Sequence, residues 1–148
     1  MNGPGAGCSP EVPSSHLASE ARLNQAMLYI EDNESNIFLV QALLKRRPQI
    51  ELHVAMTGRE GVQAAIDKQP GLILLDNRLP DATGSEILGE LGSLPATAGI
   101  PVVILSSDVD ELIAVLIAEG AAEAVPKPFD IHKFIAVIDR YLPRPGVR

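Results

Sequence analysis

The sequence predicts a doubly wound α/β fold with five parallel strands and five helices. Two observations carry this prediction. Short apolar runs of strand length alternate along the chain with segments of helical apolar spacing, and the connections between them are short. The apolar runs also lack polar residues at every second position, as expected for parallel strands that helices bury on both faces. Right-handed crossovers should join the strands, which gives a flavodoxin-like sheet with the strand order 2-1-3-4-5.

Each element has its own signal along the chain. The first predicted helix places Ile37, Val40 and Leu43 on one face and stops before Pro48. Gly120 is the expected C-terminal cap of the fourth helix, because glycine readily adopts the left-handed conformation there. The strands are predicted at residues 27–30, 52–55, 72–75, 102–105 and 124–125, and the helices at about 35–47, 59–68, 85–91, 109–119 and 131–142.

Composition favours one domain whose partners are proteins or cations. The chain has 148 residues and is 46% hydrophobic, which suits a single core at residues 26–142 between a flexible tail at 1–25 and a short tail at 143–148. A formal charge of −7 argues against nucleic acid as a partner, and no run reaches the roughly 18 apolar residues of a membrane span. The single cysteine, Cys8, cannot form an internal disulfide, which favours a reducing, cytoplasmic setting.

Polar side chains follow four of the five predicted strands. Glu31 and Asp32 follow the first strand, Asp76 the third, Ser106 the fourth and Lys127 the fifth. The carboxyl ends of parallel strands lie at one edge of the sheet, and ligands bind there near the point where strand order reverses. We therefore expect three acids, a hydroxyl and an amine to meet in one crevice.

These groups suit Mg²⁺ and a phosphoryl group. Three neighbouring carboxylates repel one another, and a divalent cation bound by oxygens relieves the repulsion. Mg²⁺ typically takes one or two carboxylates together with phosphate oxygens. Asp76 can then act as a nucleophile that forms an aspartyl phosphate, while Lys127 supplies a cation and Ser106 a hydroxyl donor for the phosphate oxygens.

Taken singly, each residue has a purely structural explanation. A lone Asp76 after an apolar strand is most often a turn or cap residue, and Glu31 and Asp32 could simply begin a helix, where acids favour the dipole. Ser106 alone is uninformative, and Lys127 before a proline is usually a solvated turn residue. The functional interpretation depends on all of them falling at the same edge of the sheet.

With these residues in view, the chain from about residue 26 to 142 resembles the receiver domain of two-component response regulators. The matching features are Glu31 with Asp32, Asp76 followed by the run LPDATG at residues 79–84, Ser106, and Lys127 with Pro128. The resemblance implies a phosphoacceptor switch that is not a turnover enzyme in its own right. Its partner would be a histidine kinase or a histidine phosphotransfer protein. Glu31 in place of the commoner first Asp is similar to the receivers of hybrid sensor histidine kinases.

The resemblance also assigns a role to each residue of the set. Lys127 would pair with the phosphoryl group, and the peptide between Lys127 and Pro128 would be cis. The Mg²⁺ ligands would be Asp32 and Asp76 directly, Glu31 through water, and Arg78 through its backbone carbonyl.

Further residues bear on lifetime and output. Arg78 and Asp108 stand two residues after the phosphoacceptor and the serine, so we expect them to flank the water path to the acyl phosphate and to set its lifetime. Ala124 occupies the position where the family usually places the Tyr or Phe that reads out phosphorylation. The run LIAVLIA, from Leu112 to Ala118, is apolar on every side of the predicted helix. It either packs loosely under neighbouring loops or docks a downstream protein or a second copy of the chain. The output face would combine the fourth helix, fifth strand and fifth helix.

Three alternatives are less well supported. A Mg²⁺-dependent phosphohydrolase with an aspartyl nucleophile would want an acid two residues after the nucleophile, where Arg78 stands. A nucleotide-binding module would want glycine in the first turn, and EDNESN at residues 31–36 has none. A degenerate receiver that never takes a phosphoryl group and acts as a binding module is disfavoured by the complete acidic set.

Overall fold

The computed structural model of the chain describes residues 25–106, 110–127 and 130–143. Asp108 and Pro128 lie outside the described residues, and so do nearly all of the predicted N-terminal tail and residues 144–148. The expected cis peptide and the role of Asp108 therefore stay predictions. Among the described helices, none combines the length and the apolarity that crossing a bilayer requires.

Five strands and five α-helices alternate along the described chain. The sheet is entirely parallel with the order β2-β1-β3-β4-β5, which confirms the predicted topology. The strands are β1 Ala26–Ile30, β2 Glu51–Ala55, β3 Leu72–Asp76, β4 Val102–Ser106 and β5 Glu123–Pro126, and the helices are α1 Glu34–Leu43, α2 Gly58–Lys68, α3 Gly84–Ser93, α4 Asp110–Ala118 and α5 Ile131–Tyr141.

Helices cover the sheet on both faces. One face packs on α1 and α5, and the other packs on α2, α3 and α4. All residues of β3 and β4 are buried, which explains why their apolar runs are continuous. The alternation of side chains along β1 assigns Met27 and Tyr29 to the first face, and Leu28 and Ile30 to the second.

Two helix ends illustrate how local chemistry stops a helix. The first predicted helix was expected to reach residue 47, but α1 ends at Leu43 and continues as a 3₁₀ turn, Leu44–Arg46. Arg47 precedes Pro48 and leaves the helical region, with φ −135° and ψ 67°. Gly120 has φ +118°, and its N–H donates to the carbonyl of Ile117, so it caps α4 as predicted.

An ion pair joins the first helical segment to the last. The guanidinium of Arg47, after α1, donates two hydrogen bonds of 2.6 Å to the two carboxylate oxygens of Asp139 on α5. The hydrogen bond to Asp139 raises the pKa of Arg47. This fork geometry is the strongest form of a carboxylate pair, and it connects residues 92 positions apart.

Candidate functional site

The parallel register brings the carboxyl ends of four strands to one edge. Ile30 pairs with Leu75, and Ser106 pairs with Pro126, so the residues that follow these strands emerge side by side. Strand order reverses between β1 and β3, because β2 lies beyond β1 on one side and β4 beyond β3 on the other. The predicted crevice therefore lies at the topological switch point of the sheet.

Three carboxylates gather at this edge. Glu31, Asp32 and Asp76 each offer an oxygen, and these atoms lie within 4.8 Å of one another. Glu31 and Asp76 are buried, with 1% and 7% of their surface exposed, whereas Asp32 is exposed. Carboxylate oxygens are the ligands that Mg²⁺ prefers, so the chemistry of this cluster suits that ion.

Among the described residues, Lys127 is the only lysine whose ammonium group lies beside the three carboxylates. Its Nζ lies 2.5 Å from Asp76 Oδ1 and 3.5 Å from Glu31 Oε1. The N–H of Lys127 donates to the carbonyl of Ser106 at 2.8 Å, which holds the residue at the end of β5. Three carboxylates and one ammonium leave two negative charges, which a divalent cation would neutralise.

The Glu31 carboxylate is held by donors from its own strand and from the start of α1. Oε1 accepts from the hydroxyl of Tyr29 at 3.0 Å and from the side-chain amide of Asn36 at 3.2 Å, and Oε2 accepts from the N–H of Asn33 at 3.2 Å. Burial first, and then the charge of Glu31, raises the pKa of Tyr29 far above its usual value. The phenol therefore stays protonated and donates.

The turn after β1 is built by two asparagines with different roles. Asn33 is the N-cap of α1, since its side chain accepts from the N–H of Asn36 at 3.0 Å. Asn36 instead turns its amide to Glu31. Asparagines before a helix ordinarily serve as turn or cap residues; Asn33 has that role, whereas the side-chain amide of Asn36 holds Glu31.

The loop after Asp76 is closed by backbone hydrogen bonds. The N–H of Asn77 donates to the carbonyl of Leu105 at 3.2 Å, and the N–H of Gly84 donates to the carbonyl of Asn77 at 2.8 Å. Between them, Arg78 and Thr83 form an isolated antiparallel bridge. Thr83 then caps α3 in a reciprocal capping box with Glu86. This loop fixes the backbone that follows Asp76.

Asp81 anchors the same loop to α2. Its carboxylate accepts from the N–H of Gly58 at 2.7 Å and from that of Arg59 at 3.0 Å, at the N-terminus of that helix. These hydrogen bonds, that from Gly58 first, lower the pKa of Asp81. The residue belongs to the LPDATG run that the sequence singles out, but its partners are more than 20 positions earlier in the chain.

The remaining predicted residues border this cluster. Ser106 is buried, with 1% exposure, as the last residue of β4. Arg78 is exposed two residues beyond Asp76 and lines a cavity of about 590 Å³ beside α3. The structure thus brings Glu31, Asp32, Asp76 and Lys127 into contact or close approach, and it places Ser106 on the neighbouring strand end. Sequence reasoning missed Tyr29, although its position two residues before Glu31 in an extended chain puts both side chains on the same side.

Comparisons with known proteins agree with this geometry. The polar-differentiation response regulator DivK of Brucella ovis is 28% identical over 121 residues, which cover 81% of this chain and 98% of that protein. The receiver domain of sensor histidine kinase PA1611 from Pseudomonas aeruginosa, solved with a magnesium ion coordinated in its active-site cleft, has a TM-score of 0.72 at 23% identity and covers 80% of this chain and 97% of its own. The phosphorylated cyanobacterial phytochrome response regulator RcpA has a TM-score of 0.68 at 26% identity, over 80% and 94%.

The family itself follows from a match over most of the chain. The model of the response regulator receiver domain matches residues 27–139, which span every strand and helix of the fold except the first residue of β1 and the end of α5. The acidic cluster and the lysine lie inside that match. The chain therefore belongs to the response regulator receiver domain family.

Proposed function

We propose that the chain is a Mg²⁺-dependent switch that accepts a phosphoryl group on Asp76 from a histidine kinase or a histidine phosphotransfer protein. The observation that carries this proposal is the contact between Asp76 and Lys127, 2.5 Å apart, within a cluster that also contains Glu31 and Asp32. A buried acid paired with a cation at a sheet edge is suited to nucleophilic attack on phosphorus. The magnesium of the PA1611 receiver and the phosphorylated state of RcpA are properties of those proteins that support the same chemistry here.

Each side chain has a proposed part in the transfer. A carboxylate oxygen of Asp76 forms the new bond to phosphorus as the bond from phosphorus to the donor's histidine nitrogen breaks. Lys127 and the hydroxyl of Ser106 meet oxygens of the phosphoryl group, which adds roughly −1.5 to −2 charge. The metal, when bound, would neutralise charge on those oxygens. The metal would be held directly by Asp32, Asp76 and the carbonyl of Arg78, and through water by Glu31.

The test uses a small-molecule phosphodonor, so that no cognate kinase is needed. Wild-type protein and the Asp76→Asn variant are incubated with acetyl phosphate and Mg²⁺, and intact mass is measured over time. We expect one added phosphoryl group on the wild type, none on Asp76→Asn, and none when Mg²⁺ is chelated. Equal labelling of both proteins would refute Asp76 as the acceptor, and steady hydrolysis of added phosphate esters would favour the phosphohydrolase instead.

We also propose that output leaves through protein contact at the face formed by α4, β5 and α5. Val115 and Ile117 on α4 are 49% and 42% exposed, while Leu116 between them is fully buried. Ala124 stands at the position of the usual aromatic residue, beside a groove of about 220 Å³ between β5 and α5. With no ring to move there, we expect the exposed apolar side chains on α4 to supply the contact surface.

Light scattering with and without a phosphoryl mimic tests this output. We expect the mimic to change the association state, and Val115→Asp to abolish the change. Val54→Asp is the matched control, because Val54 is 38% exposed on β2 at the opposite edge of the sheet. A protein that stays monomeric with the mimic, or a Val115→Asp variant that behaves like the control, would contradict self-association through α4.

The lifetime of the phosphorylated state is the last part of this proposal. Arg78 is exposed at the mouth of the cluster, where it can control the approach of water to the acyl phosphate. We expect Arg78→Ala and Asp108→Ala to change the dephosphorylation rate, measured by loss of the added mass after the donor is removed. An unchanged rate in the double variant would exclude both residues from this role.

A further inference from the structure

A buried tyrosine lies beside the acidic cluster and is not among the residues that carry the family signature. Tyr29 is fully buried in the middle of the sheet, although β1 is otherwise apolar, and its hydroxyl reaches Glu31 Oε1. A buried hydroxyl needs a partner, and here the partner is a carboxylate that is itself 1% exposed.

We propose that Tyr29 and Asn36 are positioning residues that hold the Glu31 carboxylate in the orientation that serves the Mg²⁺ site. This inference rests on the proposed function, because it assigns Glu31 to the metal. Neither Tyr29 nor Asn36 touches the reacting atoms. Both act through Glu31, in the way that outer hydrogen-bond partners orient metal ligands.

Counting acceptor positions shows which part of Glu31 faces the metal. A carboxylate has about four lone-pair positions, two on each oxygen. Tyr29 and Asn36 occupy those of Oε1, and the N–H of Asn33 occupies one of Oε2. Among the described residues, Oε2 accepts only from Asn33, and we expect a metal-bound water to take its other position. This agrees with a water-mediated role for Glu31.

The same hydrogen bonds keep Glu31 from competing for the lysine. The ammonium of Lys127 lies 2.5 Å from Asp76 but 3.5 Å from Glu31 Oε1. Without the hydroxyl of Tyr29, Oε1 would lack one of its donors in a buried space, and the nearest cation is that ammonium. Glu31 would then draw Lys127 away from Asp76 and turn away from the metal.

An opposing effect has to be weighed. Donors withdraw charge from a carboxylate, so removing one could strengthen its attraction for Mg²⁺. The position of Lys127 decides the outcome, because an oxygen that loses the hydroxyl pairs with an ammonium already next to it. We therefore expect Tyr29→Phe to weaken Mg²⁺ binding about ten-fold, at the low end for outer partners of metal ligands.

The experiment measures Mg²⁺ affinity directly, from amide chemical shifts during a titration of the full chain. Tyr141→Phe is the matched control, because the hydroxyl of Tyr141 also donates to a carboxylate, that of Glu123 at 2.8 Å, on β5 away from the cluster. We expect weaker binding for Tyr29→Phe and for Asn36→Ala, and wild-type binding for Tyr141→Phe. Asn36→Ala also serves as the test if Tyr29→Phe does not fold.

A double-mutant cycle separates positioning from general damage to the fold. If Tyr29 acts through Glu31, Tyr29→Phe should have little further effect on Mg²⁺ affinity in a Glu31→Gln background. Equal or tighter binding by both Tyr29→Phe and Asn36→Ala, or additive effects in the cycle, would overturn the positioning role while leaving the proposed switch intact. A wild type that binds no Mg²⁺ would overturn the proposed metal site as well.

Discussion

Gly84, the first residue of α3, lies so close to the end of β3 that a single methyl group should disturb it. A Cβ built at this position would lie 2.7 Å from Asn77 Oδ1 and 3.0 Å from Asn77 Cα. Asn77 cannot retreat easily, because its N–H and its carbonyl are both engaged in backbone hydrogen bonds. Gly84→Ala therefore overpacks the site, which typically costs about 1–3 kcal/mol of unfolding free energy.

Gly89 in the same helix provides the matched control. A Cβ built there meets nothing within 4 Å. Alanine inside a helix is more stable than glycine by about 0.5–1 kcal/mol, so Gly89→Ala should stabilise the protein. The two variants make the same chemical change in one helix, and we expect their unfolding free energies to differ by about 1.5–4 kcal/mol in opposite directions from the wild type.

Urea unfolding is the assay. With a slope of about 2 kcal/mol per molar urea, the midpoints of the two variants should lie about 0.8–2 M apart. Because Asn77 follows Asp76 directly, Gly84→Ala should also slow labelling by acetyl phosphate, whereas Gly89→Ala should not. A Gly84→Ala midpoint at or above that of Gly89→Ala would refute the idea that the end of β3 is too tightly packed to accept a methyl group.

Three further predictions concern charged groups. Lys127→Met leaves Asp76 and Glu31 without their cation and should lower the unfolding free energy by about 1–3 kcal/mol, which is below the range for a fully buried pair because Lys127 is 21% exposed. Saturating Mg²⁺ should restore part of this loss. A melting temperature with the same Mg²⁺ dependence in both proteins would contradict this prediction. The hydrogen bond from Arg140 lowers the pKa of Glu123 in the folded state, below its ordinary value of 4.5. The stabilisation from this pair is therefore present above the ordinary pKa and is lost as the pH falls through the folded pKa. The difference in unfolding free energy between wild type and Glu123→Gln should accordingly shrink in acid, and a difference independent of pH would count against the pairing. Arg47→Lys should destabilise the protein by about 1–2 kcal/mol, nearly as much as Arg47→Ala, because lysine cannot reproduce the bidentate contact with Asp139. If the lysine variant unfolds in urea like the wild type, a point charge is sufficient to hold Asp139 and the prediction is wrong.

Much of the fold could be predicted because the three inner strands, β1, β3 and β4, are buried on both faces. Their continuous apolar runs mark where each begins and ends, and the polar residues after them mark one edge of the sheet. Helix ends were harder to predict. The end of α1 depends on how Pro48 restricts Arg47 and on a 3₁₀ turn, and neither follows from apolar spacing alone.

The candidate site divides in the same way. Glu31 and Lys127 directly follow strands and Asp76 ends one, so the parallel topology alone brings them together. The contact of Tyr29 with Glu31 was not predicted, because a tyrosine in an apolar strand is ordinarily a core residue. Its hydroxyl matters only because of the carboxylate two positions later. The role of Asp81 could not be predicted for a different reason. The hydrogen bonds that it accepts from Gly58 and Arg59 depend on how α2 packs against a loop that is distant in sequence.

The fork between Arg47 and Asp139 has a consequence for how the protein comes apart. It joins the first helical segment to the last, and Leu43 of α1 belongs to the same layer of the core as Phe134 and Ile138 of α5. Fraying that starts at either terminus must therefore break contacts made by the opposite one. The two ends should form one cooperative unit, with matching hydrogen-exchange protection in α1 and α5, and a chain shortened to stop before α5 would lose its anchor for α1 as well.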